Sequence, residues 1–460
     1  MSASAKATQS NDNRSNRTAA ARLKLRHGEV RAKYTPSEIP ERAGNQFIEC
    51  LGNAPSAKEL ATIMAYKPPY DDTERQRSAE VRKQFLNRLK RVFVPLTAQH
   101  SIANTLGEMI RSGYEHRAPA KPEFTRFLQR AYEARVLEQC VKSAPEVAPM
   151  CDSYAIIGVS GVGKTRLVRR ALAQFPTLVF HPKLNIHSIP YLMVECPHNG
   201  TVKQLILNFF NRLDSVVGTD YESRFTKRRM SVESMIREVN AAAHLYGVGL
   251  IVIDEIQHAA AAKNGGGTDL FMNFIVRFVN ESVAPVVLIG TMSSLDLMQK
   301  DFRIARRTMG ALLKNYEMGP EWDYFLKKIW RYQWTQKVSP LTDTLNAVMY
   351  KRTQGVLALA VKLYAMVQRW AIDSGFEEIT EDLINTVADE EFSRIAPMLD
   401  ALATGDMVKL KKFGDLYLPE AIETQERAEA TDSPMNLADL MTSLVPQSKP
   451  AKTAHRQRSA

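Results

Sequence analysis

The stretch that decides the fold reads Tyr154-Ala-Ile-Ile-Gly158-Val-Ser-Gly161-Val-Gly163-Lys164-Thr165, and it continues as Arg166-Leu-Val-Arg-Arg-Ala-Leu-Ala-Gln-Phe175. The apolar run 154–157 has the length of a buried strand, and the run after Gly163 has helical period. Between them Gly158 to Thr165 satisfies the spacing G-x-x-x-x-G-K-[ST] in full. Turns without side chains let backbone N–H groups face phosphate oxygens, Lys164 neutralises the β- and γ-phosphates, and Thr165 offers a hydroxyl to Mg²⁺. The expected phosphate cradle is therefore Gly158, Val159, Ser160, Gly161, Val162, Gly163, Lys164, Thr165 and Arg166.

Working outward, three further apolar runs stand at spacings that suit crossover connections: 191–195, 249–255 and 285–290. Helical stretches at about 201–217 and 231–246 separate them. The second run ends in Asp254-Glu255. A strand that ends in a carboxylate puts Asp254 at the carboxyl edge of a parallel sheet, where it holds the metal directly or through water. Glu255 is then placed to accept a proton from an attacking water, which points to hydrolysis. The third run ends in Gly290-Thr291, where Thr291 orients that water or the γ-phosphate. Asp301-Phe-Arg-Ile-Ala-Arg306-Arg307 closes a helical stretch with cations. Either they complement the helix dipole, or Arg307 or Arg306 reaches the γ-phosphate bound by a neighbouring subunit.

The expected fold class is α/β, a P-loop core with a parallel sheet over 141–320, followed by a helical lid over 321–415. Trp322, Trp330 and Trp334 have the spacing of lid core residues. Residues 35–140 read as a helical extension, with helices at 97–117 and about 122–139. The segment from Thr73 to Arg91 reads as an amphipathic, very basic helix with Val81, Phe85 and Leu89 four apart. Its cations form either a solvated face or a nucleic-acid contact.

Charge is unevenly placed. The 460 residues carry a net +11, of which +6 falls on residues 1–34 and +4 on 447–460, leaving +1 for everything between. The first segment is expected to be a disordered basic arm, because it has too little apolar surface to offset its ordering entropy. The tail 416–460 is expected to be flexible, with a partner-binding helix at about 434–446. Four cysteines without paired spacing suggest neither a disulfide framework nor a zinc site, and the Cys196/His198 pair lacks a second pair at metal spacing. No apolar run reaches membrane-spanning length, so no membrane contact is expected and a bacterial cytoplasm fits.

Together the GVSGVGKT loop, IVIDEIQH (251–258), VLIGT (287–291), DFRIARR (301–307), CPHNGTVKQLILNFF (196–210) and the block Pro95 to Arg117 with His100, Ile110 and Gly113-Tyr114 resemble the TnsC/TniB family of AAA+ ATPases, the transposition regulators of bacterial transposons. The resemblance covers about 90–420. It implies ATP and Mg²⁺ as cofactors, a ring or helical homo-oligomer on double-stranded DNA, and partnership with transposase subunits and a target-selection protein of the TniQ type. A replication initiator or helicase loader would share the same core and is the alternative. One departure stands out: many AAA+ lids place an arginine three residues after a Gly, whereas Gly355-Val-Leu-Ala358 has alanine.

A ring on DNA needs backbone contacts more than base readout. The candidates are Asn199, Thr201 and Lys203, where Thr201 opens a helix whose amides face a phosphate, and a second cluster at Lys227, Arg228 and Arg229, with Arg224 beside it.

Overall fold

A computed structural model describes residues 28–136, 153–198, 201–227, 231–261, 267–292, 294 and 308–404. Asn199, Arg228, Arg229, Arg306, Arg307, the side chain of Lys227, residues 1–27 and the tail with its 434–446 helix lie outside them.

The core is a parallel five-stranded sheet of β2 (Ser153–Gly158), β5 (Leu192–Glu195), β6 (Ile251–Asp254), β7 (Val286–Gly290) and β8 (Thr308–Leu313), in the order β5-β6-β7-β2-β8. Its strands are continuous apolar runs because helices cover both faces. Alternation still sorts their side chains. Ala155, Ile157, Val194, Ile251, Ile253, Val286 and Leu288 join one buried cluster, whereas Tyr154, Ile156, Val252, Val287 and Ile289 join another. Pairing Glu195 with Asp254 and Ile157 with Gly290 aligns the strand ends at one carboxyl edge.

Three strands carried too little local signal to be expected. β8 adds the edge beside β2, starting right after the cationic segment, which itself lies outside the described residues. The other two, β3 (Leu178–His181) and β4 (Ile186–Ser188), form a hairpin whose third strand is β1 (Glu29–Arg31). β1 corrects the reading of residues 1–34 as disordered throughout: Glu29 to Arg31 pair in parallel with Leu178 to Phe180, and the Tyr34 hydroxyl meets His181 Nδ1 at 2.9 Å.

The helices, in chain order, begin with α1 (Gln46–Glu49), α2 (Ala57–Met64), α3 (Ala79–Phe85), α4 (Thr97–Glu115) and α5 (Pro122–Val136) of the extension. The core contributes α6 (Lys164–Leu172), α7 (Val202–Val217), α8 (Tyr221–Lys227), α9 (Val232–Leu245) and α10 (Gly267–Glu281). The C-terminal helical region is α11 (Pro320–Trp330), α12 (Asp343–Thr353), α13 (Leu357–Asp373), α14 (Glu381–Glu391) and α15 (Ala396–Thr404), with Trp322, Trp330 and Trp334 buried in its core.

The extension is divided between two neighbours. Its α4 packs on the core, where the Tyr114 hydroxyl donates to Gly247 O at 2.6 Å. Leu86 and Leu89 instead join the core of the C-terminal helices. The basic stretch 73–91 is not one amphipathic helix but a 3-10 turn at Asp72–Gln76, α3, and a second 3-10 turn at Leu86–Arg91. Four of its cations are paired with carboxylates: Arg82 with Glu377, Lys83 with Glu80 and Asp373, Arg75 with Asp72, and Arg88 with Glu74. Arg82 and Lys83 thereby bind the lid, while Arg77, Lys90 and Arg91 stay exposed. No single helix among the described residues is long and apolar enough to cross a membrane.

Candidate nucleotide site

The loop after β2 turns because Gly161 and Gly163 take φ of 82° and 97°, left-handed conformations that strain any residue with a Cβ. Gly163 is also the N-cap of α6, so the helix's first amides open into the loop. Lys164 is buried, and its ammonium donates to Gly158 O at 2.9 Å and Val159 O at 3.1 Å. Helix-terminal amides and a confined cation make a cradle that suits a polyphosphate.

Thr165 and Asp254 come together from opposite ends of the sequence motif set: Thr165 Oγ1 donates to Asp254 Oδ1 at 3.1 Å. Burial pushes the Asp254 carboxyl above its ordinary value, against the lowering effect of hydrogen bonds from Thr165 and from the Glu255 amide. A buried carboxylate beside a hydroxyl is the oxygen donor set that a hard divalent cation takes, and a cation there would reverse the effect of burial. The residues present thus fit Mg²⁺ held by Thr165 and Asp254.

Glu255 follows in the left-handed region at φ 58°, with its amide donating to Asp254 Oδ1 at 2.9 Å. Thr291 is buried at the end of β7, the strand between β6 and β2. Glu255 and Thr291 are therefore both at the edge that the phosphate cradle faces.

Sequence reasoning missed the rest of the cleft, which has a volume of about 500 Å³ and is closed by three parts of the chain. Val92, Phe93 and Val94 come from the extension, Gly161 to Gly163 with Arg166 from the loop and α6, and Ala358, Lys362 and Arg369 from α13. Arg166 lies over the Phe93 ring at 5.8 Å. No local motif marks the positions from the extension and α13, since they meet the loop only when extension and lid fold onto it. At the position where the arginine pattern has alanine, the Ala358 amide donates to Gly161 O at 3.3 Å, so the start of α13 touches the loop through backbone. Charge enters from the next turns of that helix, at Lys362 and Arg369.

The nucleic-acid candidates are less defined. Thr201 occupies the N-cap of α7 but makes no side-chain capping bond, which departs from the expected role; Thr201 and Lys203 are both exposed. Arg224 is paired with Asp220 at 2.7 Å. Cys196 is buried, its thiol pushed up to about 12 by burial, and no group of three or more metal-ligating side chains occurs among the described residues.

Residues 150–298 match the family model described as AAA domain, AAA_22. Among solved structures, the Walker-type ATPase PABY2304 of Pyrococcus abyssi is similar at 15% identity and a TM-score of 0.38, covering 68% of this chain and 88% of that one. The ORC2 protein of Aeropyrum pernix in its ADP form is similar at 15% identity and a TM-score of 0.35, covering 57% and 67%. No curated protein sequence matches the chain significantly. Strand order, phosphate loop and family match agree: this chain has the P-loop AAA+ fold, a parallel sheet with helices followed by a helical C-terminal region.

Proposed function

We propose that this chain is a Mg²⁺-dependent ATPase that assembles as a ring or helical homo-oligomer on double-stranded DNA and regulates transposition, linking a TniQ-type target-selection protein to transposase subunits. The observation that carries the enzymatic part is the Thr165 to Asp254 hydrogen bond at 3.1 Å, because it joins the phosphate loop to the acidic strand in the geometry a metal-bound triphosphate needs. The regulatory part rests on the sequence blocks at 95–117, 196–210, 251–258, 287–291 and 301–307 and is the finer claim.

In this reading Lys164 neutralises the β- and γ-phosphates, Thr165 and Asp254 hold Mg²⁺, which neutralises charge on the phosphates, and Glu255 accepts the proton of the attacking water. Thr291 orients that water or the γ-phosphate. Arg306 or Arg307 reaches the γ-phosphate of the neighbouring subunit, which makes turnover depend on assembly. Lys203, Thr201, Asn199 and the cluster Lys227 to Arg229 contact the DNA backbone, their modest charge multiplied by repetition around the duplex.

The test is electron microscopy of the purified chain with duplex DNA and a non-hydrolysable ATP analogue. Rings or filaments that require both ligands are expected; monomers under those conditions would overturn the assembly claim. Stimulation of a purified transposase, and not of a replicative helicase, separates this reading from a helicase loader.

A further inference from the structure

Gln257 lies in the short helical turn Ile256–Ala261 that follows Glu255. Its carboxamide is stretched between two groups of the site. Nε2 donates to Glu255 Oε2, and Oε1 accepts from the Thr291 amide at 3.2 Å. Glu255 stands in the left-handed region at φ 58° immediately before this turn. The second bond crosses from the turn after β6 to the end of β7. One side chain therefore spans the candidate base and the end of β7, the interior strand beside the phosphate-loop strand.

We propose that Gln257 is a positioning residue for hydrolysis. It holds one oxygen of the Glu255 carboxylate, leaves the other oxygen for the water, and makes the direction of that oxygen depend on where Thr291 sits. An ionised carboxylate is acceptor-only, so a single donated N–H restrains its rotation without removing its capacity to take a proton. In the step served, the water oxygen bonds to the γ-phosphorus, the bond from that phosphorus to the β,γ-bridging oxygen breaks, ADP and phosphate leave, and the water's proton passes to Glu255. Movement of the β7 end on engaging the γ-phosphate is passed through Gln257 to the base. The assignment rests on the ATPase reading above.

Three variants of the full chain test it: Gln257→Ala, Gln257→Glu and Gln257→Asn, each assayed for ATP turnover across pH 5 to 9 and for hydrogen exchange at the Thr291 amide. Gln257→Ala is expected to lower kcat on the order of 10-fold or more while KM for ATP stays nearly constant, since orientation and not binding is lost. Gln257→Glu puts a second carboxyl against Glu255 and should move the acid limb of the kcat profile to higher pH, because adjacent carboxyls raise one another's pKa. Thr291 protection should fall in Gln257→Ala and persist in Gln257→Glu, which keeps an acceptor. Gln257→Asn, too short to span both partners, should resemble Gln257→Ala. A Gln257→Ala protein with the wild-type kcat, pH profile and Thr291 exchange overturns the proposal, as does a loss confined to KM. Wild-type protein that binds ATP without turning it over would overturn the ATPase reading instead. Thr291 exchange would then still decide the bond: unchanged protection in Gln257→Ala overturns it, and lost protection upholds it.

Discussion

Arg82 and Glu377 meet as a buried two-pronged ion pair, Nη2 to Oε1 at 2.6 Å and Nη1 to Oε2 at 2.7 Å, across 295 positions of sequence. The same guanidinium donates to Trp334 O at 2.8 Å, and Glu377 stands at φ 60° to receive it. Around it Lys83 reaches Asp373, the Trp334 indole donates to Glu74, and the Tyr70 hydroxyl donates to Gln333 O. Residues 70–91 are thereby joined to the C-terminal helices, and the cleft that holds Phe93 and Ala358 is bounded by that joined unit.

Removing one member leaves the other charged and dry. Arg82→Ala should cost about 3–5 kcal/mol in denaturant unfolding, the range for breaking a buried pair, and an unchanged midpoint would show that the pair does not join extension to lid. Burial pushes the Glu377 carboxyl up, but the bonds from Arg82 and from the Gln336 amide outweigh it and leave the group below its ordinary value. The pair's stabilisation is therefore fully present above the ordinary glutamate range and lost as pH falls through the lower folded value.

Mg²⁺-ATP should raise the melting temperature, because a ligand that binds only the native state stabilises by about 2.7 kcal/mol at 100 times its Kd. Lys164→Ala should abolish that shift, since it removes the buried cation that stands in the phosphate loop, where its ammonium donates to Gly158 O and Val159 O. A shift that survives would remove Lys164 from phosphate binding.

Glu255→Gln should keep ATP binding and slow turnover by roughly 10²–10⁴-fold, the usual worth of a general base. Wild-type turnover in that variant would assign the base elsewhere.

Gly355 has φ 71°, and a Cβ there would stand 1.7 Å from Tyr316 O. Gly355→Ala should therefore destabilise the fold by at least about 2 kcal/mol. It should also weaken ATP affinity, because Val356 and Ala358 lie against Gly161. Isothermal titration on the surviving folded fraction would check this, and unaltered affinity would separate that turn from the cleft.

His244 is buried between Phe124 and Phe127, with both ring nitrogens unbonded among the described residues, and burial pushes its pKa down to about 3. Unfolding lets it protonate near its ordinary value of about 6.5. Stability should thus be full above that value and fall as pH drops toward 3. His244→Phe should flatten this dependence in pH-resolved melts; an unchanged slope would assign it to other groups.

The phosphate loop was legible because its function forces residue types at fixed spacing: only glycine accepts φ near 82° and 97° at 161 and 163, and the lysine and threonine follow at once. The acidic strand was legible for a similar reason, since a buried parallel strand is a continuous apolar run and its closing Asp254 breaks the run. Thr291 was legible as the first polar residue beyond the next such strand. The β3 and β4 hairpin was not, because strands of four and three residues with mixed burial carry little local pattern; nor was β8, whose TMGALL lacks the β-branched run of the other core strands.

The sequence by itself determined the order of the core strands' motifs, the phosphate-loop motif with its lysine and threonine, and the near-neutral middle of a chain whose +11 lies mostly at its ends. Tertiary structure alone decided what Arg82 and Lys83 do. Charge spacing along a helix looks the same whether the partner is a phosphate or a carboxylate 295 residues away, and only the fold brings Glu377 to Arg82. It alone also placed Gln257 between Glu255 and Thr291, since a hydrogen bond from one strand end to another has no signature in either segment.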